Sequence, residues 1–471
     1  MNISEILGNC AAGATTRDNF ITDASFTVAY HELPGLLDET SAALVGYGVR
    51  PGDCLAVECA NSVAGALLLL TLMRDGFSFV LVPTSVGAGI KPTPLFCRFS
   101  IVVGAGVAPQ PAAAFMAVTL NPEWNGNSVA AAKLLLRTSG SMGTSKIVVH
   151  GHDKLMGNAA NCVRKYGFRA ESRCAIPVPI AHMYGFGAEF LPAIQVGASI
   201  DLQDKTNVLK YLDREKKFQP TIAFVTPAIC EMLLKGYKSD RSNYEVVVTS
   251  GQRISEDVFA AFDARIGGRL INQYGSTEMG ATAACDPGDS FALRSLTIGK
   301  PMHDVQLRIT DGDPGELNVL HPFGYDGYLD DAGEWIHVAD PASWYRTGDL
   351  AKADAESAIK VLGRAGASIN RDGYLVLLED IERIMEKSPG IAQVVVTSVA
   401  GSSGRGERIA AFCVLKAGIE LDAARIRARC FDLLPRYALP DEVHVVEAVP
   451  LLASGKIDRR ALAAELSQTE S

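Results

Sequence analysis

The sequence predicts an α/β fold, on three observations. Helix-like and strand-like apolar runs alternate as far as Gln273, short β-like runs between turn residues take over after about Asp311, and a compact α+β segment begins near Arg364.

The first element is the apolar run Val63–Arg74, a buried helix entered from the turn Arg50-Pro51-Gly52-Asp53. FVLVP, residues 79–83, follows as a buried strand. Residues 222–234, 246–251, 258–262 and 270–273 continue the alternation, and their strand-like runs end in Gly- and Ser-bearing turns. Ligands of such sheets favour the loops at strand ends. DGDPGELNVLHPFGYDGYLDD, from Asp311, has turn residues every few positions, as in a small antiparallel subdomain. Beyond Arg364 we expect a helix over 379–387, strands over 394–399 and 409–415, and a helix over 422–434. There is no internal repeat and no low-complexity tract.

Composition narrows the function classes. A chain of 471 residues holds a large core and about two to four structural units. Apolar residues at 48% and charged ones at 21% suit a soluble enzyme and exclude extensive disorder. A net charge of -9 with no Lys/Arg run argues against nucleic acid or an anionic membrane as partner. The most apolar stretch, 63–73, is far short of the ~20 residues that span a bilayer, and MNISEILGNC lacks the basic and apolar regions of a secretory signal. A cytoplasmic protein is expected. Ten scattered cysteines form no C-x-x-C pair and read as buried thiols.

The chemistry begins at LLLRTSGSMGTSKIVVHGH, residues 134–152. Gly140, Gly143 and Lys146 are spaced G-x-x-G-x-x-K and lead into a strand over 147–150, so this is not a G-x-x-x-x-G-K-[ST] loop opening a helix. Ser139 stands where a nucleophile elbow around Ser141 would need glycine. What remains is a hydroxyl-, amide- and lysine-rich hairpin suited to the outer phosphates of a nucleotide, although taken alone it is also an ordinary Ser/Gly turn. His150 and His152 carry no such signal and read as structural.

NQYGSTEMG, residues 272–280, ends the strand-like LINQ with an aromatic ring, a close-approach glycine, two hydroxyls and a carboxylate. Tyr274 suits stacking on a base, Thr277 a bond to phosphate and Glu278 a hold on Mg²⁺. WYRTGDL adds Asp349, whose two oxygens suit a ribose diol, and PLLASGKIDRR adds Lys456 on a Ser-Gly turn; in isolation these read as a solvated acid and a surface lysine.

In this order the motifs resemble those of the adenylate-forming superfamily: acyl- and aryl-CoA ligases, adenylation domains and luciferases. Its T-S-G-[ST]-[ST]-G-x-P-K loop is met over 138–146 with Met142 and Ser145 as departures. Its Y-G-x-T-E is met by Tyr274 to Glu278, its Y-R-T-G-D by 345–349, and its terminal G-K-[IV]-x-R by 455–459. Its G-R-x-D-x-x-I-K-x-x-G-x-x-V is met in part by Gly363, Arg364, Ile369, Gly373 and Val376.

The resemblance implies a large multi-subdomain N-terminal domain over 1–363, layered α/β plus a small β-barrel, and a small mobile α+β C-terminal domain over 364–471. It implies ATP and Mg²⁺: a carboxylate attacks the α-phosphate to give acyl-AMP and pyrophosphate, and a thiol or amine then displaces AMP. Lys456 would bridge carboxylate and α-phosphate, with Glu278 and Thr277 as its catalytic partners. Thr138, Ser139, Gly140, Ser141, Gly143 and Lys146 would carry the departing pyrophosphate. Gly251 in TSGQR would lie along the adenine with Tyr274 and Gly275, and Asp349 and Arg364 would address the ribose. The hinge aspartate is replaced by Gly366, which keeps a swivel and loses the carboxylate's contacts.

PVPIAHMYGFGAEF, from Pro177, has no acid before Glu189 to pair an amino acid's ammonium, which disfavours a free α-amino acid. Its AHMYG resembles the H-x-Y of coumarate-CoA ligases, so that His182 and Tyr184 would line the acyl pocket or gate the thiol tunnel, with Met183 and, from the Y-G-x-T-E motif, Ser276 on the substrate side; an aryl or arylpropenoyl acid is favoured. Met183 replaces the asparagine that meets a ring hydroxyl in dihydroxybenzoate enzymes. The acceptor stays open between CoA, the phosphopantetheine of an acyl carrier protein, and an amine. A non-catalytic nucleotide- or acyl-binding relative would be expected to lack Lys456, Glu278 or Asp349, and all three are present.

Overall fold

The computed structural model describes residues 2–82, 93–138, 146–203, 208–237, 243–251, 254–266, 269–310, 312, 314–354, 358–371, 374–399, 408–451 and 457–469. The chain divides into two compact units: residues 1–308, 318–345 and 353–360, and residues 309–317, 346–352 and 361–471.

Among the described residues, the first unit is built on two large sheets. The nine-stranded sheet runs Lys300–Pro301, Gly280–Ala284, Arg269–Ser276, Val246–Thr249, Ile222–Val225, Arg173–Ile176, Ser199–Leu202, Phe20–Thr22, Thr27–Ala29. The six strands from Arg269–Ser276 to Phe20–Thr22 are mutually parallel, and antiparallel strands finish both edges. Runs such as IAFV and VVVT are buried at every position, as a parallel sheet covered on both faces requires.

The eight-stranded sheet runs Trp335–Val338, Gly327–Leu329, Lys146–Gly151, Lys133–Thr138, Ser78–Val82, Cys54–Cys59, Phe99–Val103, Ala117–Leu120. The expected helix is Val63–Arg74, with every residue except Arg74 buried, the pattern of a core helix. Its N-terminus is held by Ser62 Oγ, which accepts from Gly65 N at 3.1 Å, and by Asp23 Oδ2, which accepts from Val63 N at 2.8 Å. Both acceptors satisfy amides that the helix leaves unpaired, and the carboxylate also suits the positive end of the helix dipole. All ten cysteines are buried and free of disulfides, as expected.

The strands of the antiparallel subdomain expected after Asp311 are shared between two sheets. Gly327–Leu329 and Trp335–Val338 extend the eight-stranded sheet through antiparallel pairing with Lys146–Gly151. Gln306–Thr310, Gly315–Leu320, Tyr345–Ala353 and Ile359–Arg364 form a separate four-stranded sheet, and the boundary between units runs through these strands.

In the second unit, Ser368–Arg371 and Tyr374–Leu377 form a hairpin, and Ile391–Val399, Arg408–Leu415 and Glu442–Val446 form a three-stranded sheet. Leu378–Glu386 and Ala423–Leu433 are the two expected helices, within a residue of their sequence bounds at all four ends. They close a core that includes Ile369, Ile381, Met385, Val394 and Ile426. Arg371, nearly fully buried, is compensated by Asp441 Oδ1 at 2.6 Å and by the Leu439 carbonyl at 3.1 Å.

Candidate active site

Four neighbouring parallel strands, Arg173–Ile176, Ile222–Val225, Val246–Thr249 and Arg269–Ser276, send their next segments out from the same carboxyl edge of the nine-stranded sheet. Those segments carry His182 to Tyr184, Thr226, Gly251, and Tyr274 to Glu278. A sheet edge of this kind is where open α/β folds bind ligands.

The Tyr274 to Glu278 segment is a bulged turn. Its register shifts between Tyr274 and Gly275 as the chain folds back to Gly280–Ala284. A Cβ on Gly275 would lie 2.2 Å from the Gly280 carbonyl oxygen, so only glycine allows this approach. Ser276 Oγ accepts from Met279 N at 3.1 Å and closes the turn. Gly280 has φ +61° and lies against Asn158, whose Oδ1 accepts from Ala281 N at 3.3 Å and whose Nδ2 donates to the Met279 carbonyl at 3.2 Å.

Two side chains from the eight-stranded sheet meet this turn, and a third, Lys146, packs on one of them. His150 Nε2 donates to the Thr277 carbonyl at 2.7 Å; since a carbonyl only accepts, Nε2 carries the proton. Burial pushes the His150 imidazole down to about 4 in spite of that bond. The Tyr328 hydroxyl donates to Glu278 Oε1 at 3.0 Å, and Lys146 Nζ stands 5.1 Å from the Tyr328 ring centroid. Beside them Asp326 binds Lys133 Nζ at 2.8 Å and Lys154 Nζ at 2.7 Å. Burial alone would raise the Asp326 carboxyl, and the two lysines hold it below its usual range.

The acyl-side residues lie as follows. His182 is exposed and precedes the short helix Met183–Gly185, where a Cβ on Gly185 would fall 2.4 Å from the Pro179 carbonyl oxygen. Met183 is buried and packs at Gly187. Tyr184 points its hydroxyl at strand-end carbonyls, 2.9 Å from that of Val248 and 3.2 Å from that of Val225, with its ring against Phe224. Gly251, exposed with φ +92°, adopts the left-handed backbone that turns the chain after Val246–Thr249.

The second unit holds Asp349 and Arg364 together, with Arg364 Nε 3.0 Å from Asp349 Oδ1. Arg364 Nη1 also donates to the Thr347 carbonyl at 2.8 Å. The Thr347 hydroxyl donates to the Leu317 carbonyl at 2.7 Å and lies 3.0 Å from the Asp349 amide, while Gly348 takes φ +72° between them. The sequence motif thus lies within the strand Tyr345–Ala353, with a left-handed glycine just before its one acid. Gly366 lies in the turn Ala365–Ala367.

Ser139, Gly140, Ser141, Gly143 and Lys456 lie outside the described residues, and of Thr138 only the backbone, in Lys133–Thr138, is described. The functional neighbours that sequence reading missed are His150 and Tyr328. Counting by twos along the strand from Lys146 puts His150 on the lysine's face, a signal available in the sequence. Tyr328 gave none, because its place follows from pairing across about 180 residues.

The sequence matches the family described as AMP-binding enzyme over residues 118–329, and that described as AMP-binding enzyme C-terminal domain over 380–456. A salicylyl-CoA synthase / salicylate adenylyltransferase of Streptomyces sp is 24% identical, covering 94% of this chain and 90% of that protein. An indoleacetate–CoA ligase of Aromatoleum aromaticum is 26% identical, covering 91% of each. A linear gramicidin synthase of Brevibacillus parabrevis is 30% identical over 94% of this chain and 9% of its own length. In fold, the chain resembles the o-succinylbenzoate CoA synthetase of Bacillus subtilis in complex with its acyl-adenylate intermediate, with a TM-score of 0.82 at 20% identity over 97% of both chains. It likewise resembles ATP-bound MatB of Rhodopseudomonas palustris, with a TM-score of 0.79 at 20% identity over the full length of both.

Proposed function

The chain belongs to the adenylate-forming superfamily, and from that premise we propose that it activates an aryl or arylpropenoyl acid with ATP and passes the acyl group to CoA. It is an AMP-forming acid-thiol ligase in class. The observation that carries the site assignment is the Tyr274 to Glu278 turn at the carboxyl edge of the parallel strands, its carboxylate held by Tyr328 beside Lys146.

A carboxylate is a poor acyl donor because its leaving group would be oxide. Its oxygen attacks the α-phosphorus of ATP, the bond to the pyrophosphate breaks, and the acyl group acquires AMP as leaving group. The thiol sulfur then attacks the acyl carbon, its proton is lost, and AMP departs. Preorganised cations act most strongly where charge crowds at the α-phosphorus. We assign Lys456 to that position, Thr277 and the 138–146 loop with Lys146 to the phosphates, Tyr274, Gly275 and Gly251 to the adenine, and Asp349 with Arg364 to the ribose. His182, Met183, Tyr184 and Ser276 are assigned to the acyl side.

Among the described residues no three His, Cys, Asp or Glu side chains gather into a metal site of their own. One carboxylate, Glu278, with a single hydrogen-bonded oxygen fits Mg²⁺, which keeps waters and takes phosphate oxygens as its other ligands. When bound, Mg²⁺ neutralises phosphate charge.

We further propose a boundary near Gly363, with a mobile C-terminal domain turning about Gly366. The ten buried, unbridged thiols fit a reducing cytoplasm. Among the described residues no helix is long and apolar enough to cross a membrane. The match to a gramicidin synthase favours a second reading, loading of the phosphopantetheine of a carrier protein. Loss of the catalytic function would leave a nucleotide- or acyl-binding protein, and transfer to an amine would make it an amide synthetase.

The deciding assay is acid-dependent exchange of labelled pyrophosphate into ATP over aryl, arylpropenoyl, fatty and amino acids. Exchange with an aryl class is expected, falling about 10²- to 10³-fold in Lys456→Ala and Glu278→Gln, the scale of removing one preorganised charge contact. Thioester on adding CoA identifies the acceptor. An enzyme that exchanges with none of these acids has lost the adenylation reading.

A further inference from the structure

We infer that Tyr328 is a positioning residue of the nucleotide site: its hydroxyl fixes the Glu278 carboxylate and its ring face seats the Lys146 ammonium. This rests on the reading of Glu278 as the Mg²⁺ carboxylate and Lys146 as a phosphate ligand.

The backbone puts Tyr328 there. Gly327–Leu329 pairs antiparallel with Lys146–Gly151, and Tyr328 stands opposite Val148. Residues directly opposite share a face, so Lys146, two positions before Val148, is the diagonal neighbour of Tyr328, within reach of a long side chain. On its other side Gly327–Leu329 pairs with Trp335–Val338, where the register shifts between Tyr328 and Leu329. Bulges of this kind re-aim a side chain. The preceding Gly327 has φ +146°, and a Cβ there would lie 2.1 Å from the His337 carbonyl oxygen, so close strand approach is built into the Gly-Tyr pair.

The ring is boxed in. Tyr325 meets it edge to face at 5.0 Å, His337 lies 6.4 Å away, and Tyr345 packs edge to face on Tyr325 at 5.6 Å. A ring held on these sides sets its hydroxyl 3.0 Å from Glu278 Oε1, with Tyr345 and Tyr325 as its hydroxyl neighbours. The Tyr325 amide meanwhile donates to the Glu278 carbonyl at 2.8 Å, so one short segment, 325–328, grips both the backbone and the carboxylate of the proposed metal residue. Lys146 over the ring face gains a cation–π contact and loses freedom to wander into solvent. Tyr328 thereby couples the strand that leaves the phosphate hairpin to the carboxylate at the end of the nine-stranded sheet.

The test uses the full chain, with ATP binding measured calorimetrically across a Mg²⁺ titration and with Mg²⁺ chelated, alongside thermal melts. Tyr328→Phe keeps the ring and its packing and removes the hydroxyl. It is expected to raise the Mg²⁺ concentration for half-maximal ATP binding about three- to tenfold, the net scale of one hydrogen bond, while Mg²⁺-free ATP affinity stays within about twofold. Tyr328→Leu removes the ring as well and should also weaken Mg²⁺-free ATP binding, about two- to fivefold, through loss of the Lys146 seat. In a Glu278→Gln background, Tyr328→Phe should change the Mg²⁺ dependence no further, an outcome that general loosening of the fold would not produce. If wild type binds MgATP and Tyr328→Phe matches it in Mg²⁺ dependence, the inference fails alone. If wild type binds no ATP, the site reading fails and takes the inference with it.

Discussion

Gly275 shows how much of this site depends on what one side chain lacks. The 2.2 Å approach that a Cβ would make to the Gly280 carbonyl is to backbone, which cannot swing aside as a side-chain tip does. Gly275→Ala should therefore destabilise the chain by about 1–3 kcal/mol, the usual cost of overpacking. It should also displace Thr277 and Glu278, lowering pyrophosphate exchange more than the stability loss alone explains. A urea midpoint and an exchange rate equal to wild type would refute this. The glycine, the tyrosine and the acid of this turn are legible in the sequence because the chemistry demands those residue types in that order. Tyr328 is not, and of His150 only the strand face is, since a phenol aimed at Glu278 and an imidazole bonded to the Thr277 carbonyl are products of pairing between segments far apart in the chain.

At the scale of elements, periodicity and length are enough where burial is complete. Val63–Arg74 is legible to its bounds because an uninterrupted, mainly apolar run of twelve residues between turns has one stable use, a core helix. The strands after Asp311 are legible as β but their sheet membership is not, because short alternating runs do not say which sheet they join; Gly327–Leu329 joins the one that holds Lys146. The turn Ala365–Ala367 is a third case. A Cβ at Gly366 would meet nothing within 4 Å, and the backbone there is not left-handed, so the static fold does not need glycine. If Gly366 serves as the proposed swivel, Gly366→Ala should leave stability unchanged or raise it by about 0.5 kcal/mol, through the entropy of the unfolded chain. It should keep pyrophosphate exchange within about twofold and slow thioester formation several-fold, because only the second half-reaction follows the domain turn. Exchange and thioester formation both at wild-type rates would remove Gly366 from that role.

Across the whole molecule, buried titratable groups set the response to acid. His150, His152 and His321 are each pushed by burial down to about 4, against an ordinary value near 6.5. A depressed imidazole is neutral in the folded chain at a pH where the unfolded chain has already taken up a proton, so stability is present above about 6.5 and is lost as pH falls toward 4. Glu189 and Asp201 oppose this: burial raises both carboxyls, so the folded chain keeps protons that the unfolded chain has released, and stability falls as pH rises through their window. Glu379, raised likewise by burial, adds to the opposing side, while Arg214 pulls Asp201 back down; the three imidazoles are expected to set the sign, with net proton uptake on unfolding between pH 5 and 6.5. Each proton corresponds to about 1.4 kcal/mol per pH unit, so urea midpoints should fall steadily across that interval. His321 Nε2 lies 3.1 Å from the Ala281 carbonyl, and its Nδ1 accepts from Phe323 N at 3.0 Å. His321→Asn keeps a donor and an acceptor there without a titrating group and should flatten the slope, whereas Glu189→Gln removes an opposing group and should steepen it. A stability that is flat or rises as pH falls from 6.5 to 5 would mean that these imidazoles are protonated in the folded chain. In that case the His150 ring would stand charged beneath the Thr277 carbonyl, and the turn that presents Glu278 would itself be set by pH.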